Sequence, residues 1–237
     1  MIYAIGDIHG QLAELDRVLS LIEADGGADA HIVFLGDYTD RGPDSRGVLD
    51  RLINGVSQGR RWTVLRGNHD RMFCRYLTDG NEHDERIKSG KGWLNPSLGG
   101  PTTLASYGVN VEEGDILKRA QAAVPPEHLA FLESRSLWYE TDDLLFVHAG
   151  IKPGVPMDEQ DEDDLIWIRE GFLDHEEPFD KLIVHGHTAL EQPTHFGNRI
   201  DIDSGAGYGR PLTAAVFEGT DCFILTETGR VPLLPTV

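Results

Sequence analysis

The sequence predicts an α/β fold in which two packed sheets are flanked by helices, forming one domain over residues 1–237. Two observations carry this. Near the N-terminus, short apolar runs alternate with stretches whose apolar residues recur at helical spacing, the pattern of right-handed βαβ units. Further on, strand-like runs dominate, so a second sheet has to pack on the first.

Ile2 to Ile5 is an apolar run before Gly-Asp, which reads as a buried strand. Leu12, Leu15, Leu19 and Ile22 follow at helical spacing and stop at Gly26-Gly27, a good helix end. "HIVFLGD" reads as a second strand, Val48, Leu49, Leu52, Ile53 and Val56 as a second helix, and "WTVLRGNHD" as a third strand. Residues 78–108 break into Gly, Pro and polar positions around Trp93 and read as a loop inserted over one face. Helices are expected over residues 116–123 and 127–134. "LLFVHAG", "KLIVHGH", "RIDID", "LTAAVF" and "CFILTE" then read as strands. No repeat or long linker divides the chain.

The formal charge is −19, from 21 Lys+Arg against 40 Asp+Glu, which argues against a broad nucleic-acid-binding face. Bound divalent metals could still reverse the sign locally and admit an anionic substrate. Cys74 and Cys222 form no CxxC pair and read as reduced core residues. The N-terminus lacks the form of a signal peptide, and no run of about 18 apolar residues occurs. A cytoplasmic protein without membrane contact is the expectation. Residues 158–164, "DEQDEDD", read as a solvated acidic loop.

Residues that suit metals stand repeatedly at strand ends. "GDIHG" holds Asp7 and His9, which in extended chain face one way and could reach one ion. Asp37 follows the second strand, Asn68 and His69 the third, and His148, His185 and His187 two later ones. Mixed Asp, His and Asn ligands suit Mn²⁺, Fe²⁺ or Zn²⁺. Two ions sharing a carboxylate would clamp a phosphate and activate water.

These blocks in this order, "GDIHG", "GDYTDRG", "RGNHD", "HAG" and "HGHT", resemble the signature of the metallophosphoesterases, specifically the phosphoprotein phosphatases and best their bacterial and phage members. "DLIWIRE" and "GGPTTLASYG" extend the likeness, which runs from Met1 to about Leu212. The resemblance implies a calcineurin-like fold and two divalent ions, with Mn²⁺ expected and Fe or Zn as alternatives. It implies that Asp7, His9 and Asp37 bind the first metal. Asp37 would bridge to a second completed by Asn68, His148 and His187. It makes His69 the general acid, oriented by Asp40, with Arg41 and Arg169 gripping phosphoryl oxygens.

Other readings stand beside these. Asp40 could cap a helix or form a turn, and Arg41 and Arg169 could serve structural ion pairs. Arg66 is a weaker phosphate candidate, and His185 suits packing or support of the ligands. Tyr208 could line the substrate mouth, while His83, His128, His175 and His195 read as surface residues.

The first expectation for function is a phosphomonoesterase acting on phosphoserine or phosphothreonine proteins or peptides, with phosphotyrosine and small aryl phosphates as side substrates. The alternative is a dinucleoside tetraphosphate hydrolase. Symmetrically cleaving hydrolases usually lack the aspartate at the position of Asp40, whereas some asymmetrically cleaving ones keep it. A metal-binding regulatory module without turnover is the third reading, and retention of His69 argues against it.

Overall fold

The computed structural model describes residues 1–236. Its first part winds as the alternation demands: β1 (Ile2–Ile5), α1 (Leu12–Gly26), β2 (Ile32–Phe34), α2 (Ser45–Ser57) and β3 (Trp62–Val64). These three strands pair in parallel, Tyr3 opposite Ile32 and Ile32 opposite Trp62. α1 buries Leu15, Val18, Leu19 and Ile22, one stripe at helical spacing. Asp44 caps α2, its carboxylate accepting the Gly47 N–H at 2.8 Å.

The third strand is shorter than its sequence suggests. It ends at Val64, and Asn68 opens α3 (Asn68–Asp79), so "GNHD" is a helix start rather than a strand end. The cause is local: Asp70, in the first turn, accepts the Gly67 N–H at 3.0 Å and so satisfies a donor that no helix carbonyl can reach.

Residues 78–108 also differ from expectation. They contain α4 (Gly100–Ser106), and Trp93 is fully buried, its ring 4.8 Å from that of Tyr76 and 5.7 Å from that of Phe73. The segment is therefore anchored in the core rather than laid over a face. α5 (Ile116–Ala123) and α6 (Pro126–Glu133) follow where helical spacing placed them.

The rest of the chain adds β4 (Trp138–Glu140), β5 (Leu144–Val147), α7 (Glu162–Trp167), β6 (Leu182–His185), β7 (Thr194–His195) and β8 (Arg199–Asp201). β9 (Ala214–Glu218), β10 (Asp221–Thr226) and β11 (Gly229–Pro232) complete it. Two mixed sheets result, ordered β11-β10-β9-β1-β2-β3 and β4-β5-β6-β8-β7. β9 returns antiparallel beside β1, Tyr3 opposite Val216, which closes the first sheet around its earliest strand.

Strand alternation sorts the core. Ala4 and Val33 face the second sheet and meet Phe146, Val184 and Ile200, whereas Tyr3, Ile5, Ile32 and Phe34 face the helices. The rings of Phe146 and Phe217 cross edge-on at 5.7 Å between the sheets. Each such ring contributes about 2 kcal/mol by leaving water.

The acidic segment is not a free loop. Asp161 caps α7, accepting the Asp163 N–H at 2.9 Å, and the next acids enter ion pairs. Glu162 meets Arg66 at 2.7 Å, Asp163 meets Arg71 at 2.5 Å, and Asp164 meets Arg86 at 3.1 Å. Carboxylates in a first helical turn also suit the helix dipole. Cys74 and Cys222 are buried thiols, as expected. His128 and His195 are buried too, contrary to the surface reading, because each finds partners inside; His83 is exposed and His175 partly buried. No helix among the described residues is long and apolar enough to cross a membrane.

Candidate metal centre and cleft

Five strands of the two sheets, β1, β2, β3, β5 and β6, deliver the candidate ligands from their carboxyl ends, where loops of open α/β sheets gather ligands. Asp7, His9, Asp37, Asn68, His148 and His187 are all buried there. The backbone is strained at the same place. Among the described residues, the non-glycine positions with positive φ are His9 (46°), Asp37 (53°), Asp40 (73°), Arg41 (66°) and His187 (66°). Each costs about 1–3 kcal/mol and persists because surrounding contacts enforce it. The left-handed turn at His9 corrects the idea that Asp7 and His9 share a face through strand alternation. Close approach is also built in: a Cβ on Gly67 would lie 2.1 Å from Asp37 Oδ1, and one on Gly186 would lie 2.1 Å from Asp7 Oδ1.

Two groups of ligand atoms lie within 4.8 Å of one another: His9, Asp37 and His69, and Asp37, His148 and His187. Asp37 belongs to both. Asp7 stands just outside these groups, its carboxylate accepting the His187 N–H at 3.1 and 3.2 Å. Asn68 Oδ1 lies 2.9 Å from His148 Nε2.

The hydrogen bonds of the imidazoles show what this pocket suits. His148 Nδ1 donates to the Leu35 carbonyl at 2.9 Å, which leaves the Nε2 lone pair facing Asn68 Oδ1 and, at 3.5 Å, Asp37 Oδ1. His9 Nδ1 donates to the Thr39 carbonyl at 2.8 Å, which leaves Nε2 facing Asp37 Oδ2 at 3.6 Å and the Arg41 guanidinium. Among the described residues His187 Nε2 is buried without a hydrogen-bond partner. Burial pushes the Asp37 carboxyl up to about 6 and the His148 imidazole down to about 4. Burial, with Asp203 and Asp37 nearby, raises Asp7 well above the usual carboxylate range. Converging lone pairs and crowded carboxyls are a donor set that fits divalent cations.

Beside them lies a second constellation. His69 Nδ1 donates to Asp40 Oδ2 at 2.6 Å, and both residues are buried. Burial drives Asp40 up to about 7, opposed by hydrogen bonds from Thr103 and Trp93 and by the charge of Arg41; burial drives His69 down to about 3. Asp40 is therefore no helix cap, the cap of α2 being Asp44. Arg41 places Nη2 3.0 Å from His69 Nε2 and its guanidinium 4.9 Å from the Tyr208 ring centre. Arg169 Nη2 donates to the His187 carbonyl at 3.3 Å.

Asp37, Arg41, Asn68, His69, Arg169 and His187 together line a cleft of about 990 Å³, along with the charged residues Glu85, Arg86, Lys88, Lys152, Asp164 and Glu170. Tyr208 is exposed on a turn flanked by Gly205 and Gly209 in left-handed conformation. Arg66 is committed to Glu162 rather than to the cleft lining. His185 packs edge-on against Phe172 at 5.0 Å and joins neither ligand group.

Sequence reasoning missed the residues that hold these groups. Asp70 accepts the backbone N–H groups of Asp37 (2.8 Å), Tyr38 (2.9 Å) and Gly67 (3.0 Å), tying the two ligand loops together. It closes the same "GNHD" that supplied Asn68 and His69, so its position was the available signal. Trp93 and Thr103, both bonded to Asp40, come from the segment read as an inserted loop, and nothing local marks them.

Residues 1–213 match the calcineurin-like phosphoesterase family. The chain is 28% identical over 237 residues to an asymmetrical bis(5'-nucleosyl)-tetraphosphatase, PrpE, of Oceanobacillus iheyensis, covering 90% of this chain and 87% of the relative. The PrpE of Anoxybacillus flavithermus is 28% identical over 239 residues, covering 90% and 89%. A solved cold-active protein-tyrosine phosphatase of a psychrophilic Shewanella is 19% identical, with a TM-score of 0.63 over 98% of this chain and 80% of that one. At that identity the likeness speaks for the fold alone.

Proposed function

The chain belongs to the calcineurin-like phosphoesterase family, and from that premise we propose that it hydrolyses dinucleoside polyphosphates asymmetrically. The cleft carries this reading. Its 990 Å³ extend well beyond one phosphoryl group, and Lys152 lines it together with Arg41 and Arg169, whereas Arg86 and Lys88 there pair with Asp164 and Glu170. In a chain of net charge −19, Arg41, Lys152 and Arg169 on one cleft suit a substrate with more than one phosphate group. The names of the curated relatives support the same substrate class.

Asp7, His9, Asp37, Asn68, His148 and His187 would hold two divalent ions, Mn²⁺ being the expected one. When bound, these polarise phosphoryl oxygens and lower the pKa of water. Arg41 and Arg169 bind the equatorial oxygens of the phosphoryl group under attack. Engaging phosphate draws Arg41 off His69 Nε2, which can then take a proton from solvent, and the resulting imidazolium gives that proton to the leaving oxygen. Asp40 holds Nδ1 and keeps the ring aimed.

A second reading, phosphomonoester hydrolysis on phosphoserine or phosphothreonine peptides, is favoured by the Asp40–His69 pair, since an alkoxide needs a proton to leave. The pair does not decide between the two, because some asymmetrically cleaving hydrolases keep this aspartate. The test is kcat/KM with Mn²⁺ on diadenosine tetraphosphate and on phosphoserine peptides, with the nucleotides resolved by chromatography. The dinucleotide is expected to be preferred and to give equal ATP and AMP, and chelation is expected to abolish turnover. Two ADP per substrate would overturn asymmetric cleavage, and a large preference for the peptide would install the second reading.

A further inference from the structure

We propose that Trp93 and Thr103 are positioning residues for proton transfer, fixing the Asp40 carboxylate so that His69 aims Nε2 at the leaving oxygen. This rests on the reading of His69 as the acid. The Asp40 carboxylate receives three side-chain donors. His69 Nδ1 donates at 2.6 Å, Trp93 Nε1 to both oxygens at 2.9 and 3.1 Å, and Thr103 Oγ1 at 2.8 Å. These come from the start of α3, the loop before α4, and α4 itself.

Thr103 does more than donate. Its oxygen also accepts the Asp40 N–H at 2.7 Å, so one side chain grips both the backbone and the carboxylate of a residue held at φ 73°. Trp93 is fully buried and flanked by Tyr76 and Phe73, which leaves its N–H a single direction. A buried indole needs some acceptor for that N–H. Here the acceptor is the group that orients His69. With either donor removed, the carboxylate can turn about its own axis and the imidazole follows, and displacements near 1 Å at a reacting centre cost about 10²-fold.

The test uses Trp93→Phe, which keeps the aromatic stack and removes only the N–H, together with Thr103→Val, Asp40→Asn and His69→Asn. Each is assayed on aryl phosphates whose phenolate leaving groups run from p-nitrophenolate to methoxyphenolate. In Trp93→Phe, kcat is expected to fall about ten-fold more for the most basic phenolate than for p-nitrophenolate. KM and metal content should hold, and no further loss should appear when the change is added to Asp40→Asn. Equal losses along the series, or additivity with Asp40→Asn, would overturn the inference. A steeper series in His69→Asn with an unchanged one in Trp93→Phe would remove the positioning role and keep His69 as the acid. An unchanged series in His69→Asn would remove both. Where Trp93→Phe folds poorly, Thr103→Val gives the same readout through the second bond.

Discussion

Among the described residues two buried histidines are hydrogen-bonded to aspartates, and the proposed reaction uses only one of them. His69 donates to Asp40 at 2.6 Å, and His128 lies 3.1 Å from Asp50. The rings are similarly hidden, but the carboxylates are not: the Asp40 side chain is 0% exposed and that of Asp50 51%. The far nitrogens differ as well. His128 Nδ1 is taken by the Tyr107 hydroxyl at 2.7 Å, whereas His69 Nε2 faces the Arg41 guanidinium and the cleft. A His–Asp contact alone is therefore no sign of catalysis. What would mark a functional pair is a fully bonded carboxylate on one side and a reachable nitrogen on the other.

The comparison can be broken most decisively by substituting both histidines alike. His69→Asn should lower kcat/KM on a basic leaving group by about 10²–10⁴-fold. His128→Asn should leave kcat/KM within about two-fold while removing about 1–3 kcal/mol of stability in denaturant unfolding, because it strips the Tyr107 hydroxyl of its buried partner. Similar activity losses in both would erase the distinction. The aspartates should separate in the same way. Asp40→Asn should reduce kcat much more than metal content, and Asp50→Asn, half exposed, should change stability by at most about 1 kcal/mol.

A smaller effect lies in pH. Burial lowers the His128 pKa below its ordinary value, so the folded protein holds the ring neutral while the unfolded chain protonates near about pH 6.5. The unfolded state then binds more protons. Its contribution to stability is complete above about pH 6.5 and is lost as pH falls toward the folded value. Thermal midpoints measured between about pH 7.5 and 5.5 should fall less steeply in His128→Asn than in the wild type, and parallel slopes would contradict this. Smallest of all is Lys88→Ala: its ion pair with Glu170 is 85% and 86% exposed, so the thermal midpoint should not move measurably.

The sequence by itself determined most of the strand order and the helices α1, α2, α5 and α6, because apolar spacing is a local property and survives without tertiary context, but it did not show α3, α4 or α7. It also determined which side chains could serve metals, since Asp7, His9, Asp37, Asn68, His148 and His187 each follow an apolar run at its carboxyl end. Only the tertiary structure decided what surrounds them. Strained turns at His9, Asp37 and His187, the Asp70 bonds that join two ligand loops, and the Trp93 and Thr103 grip on Asp40 all depend on residues far apart in the chain. The same limit hid the pairing of the acidic helix with Arg66 and Arg71. Residue type and spacing name the groups that can react; burial and long-range hydrogen bonds, which no local pattern encodes, decide which of them are held ready to do so.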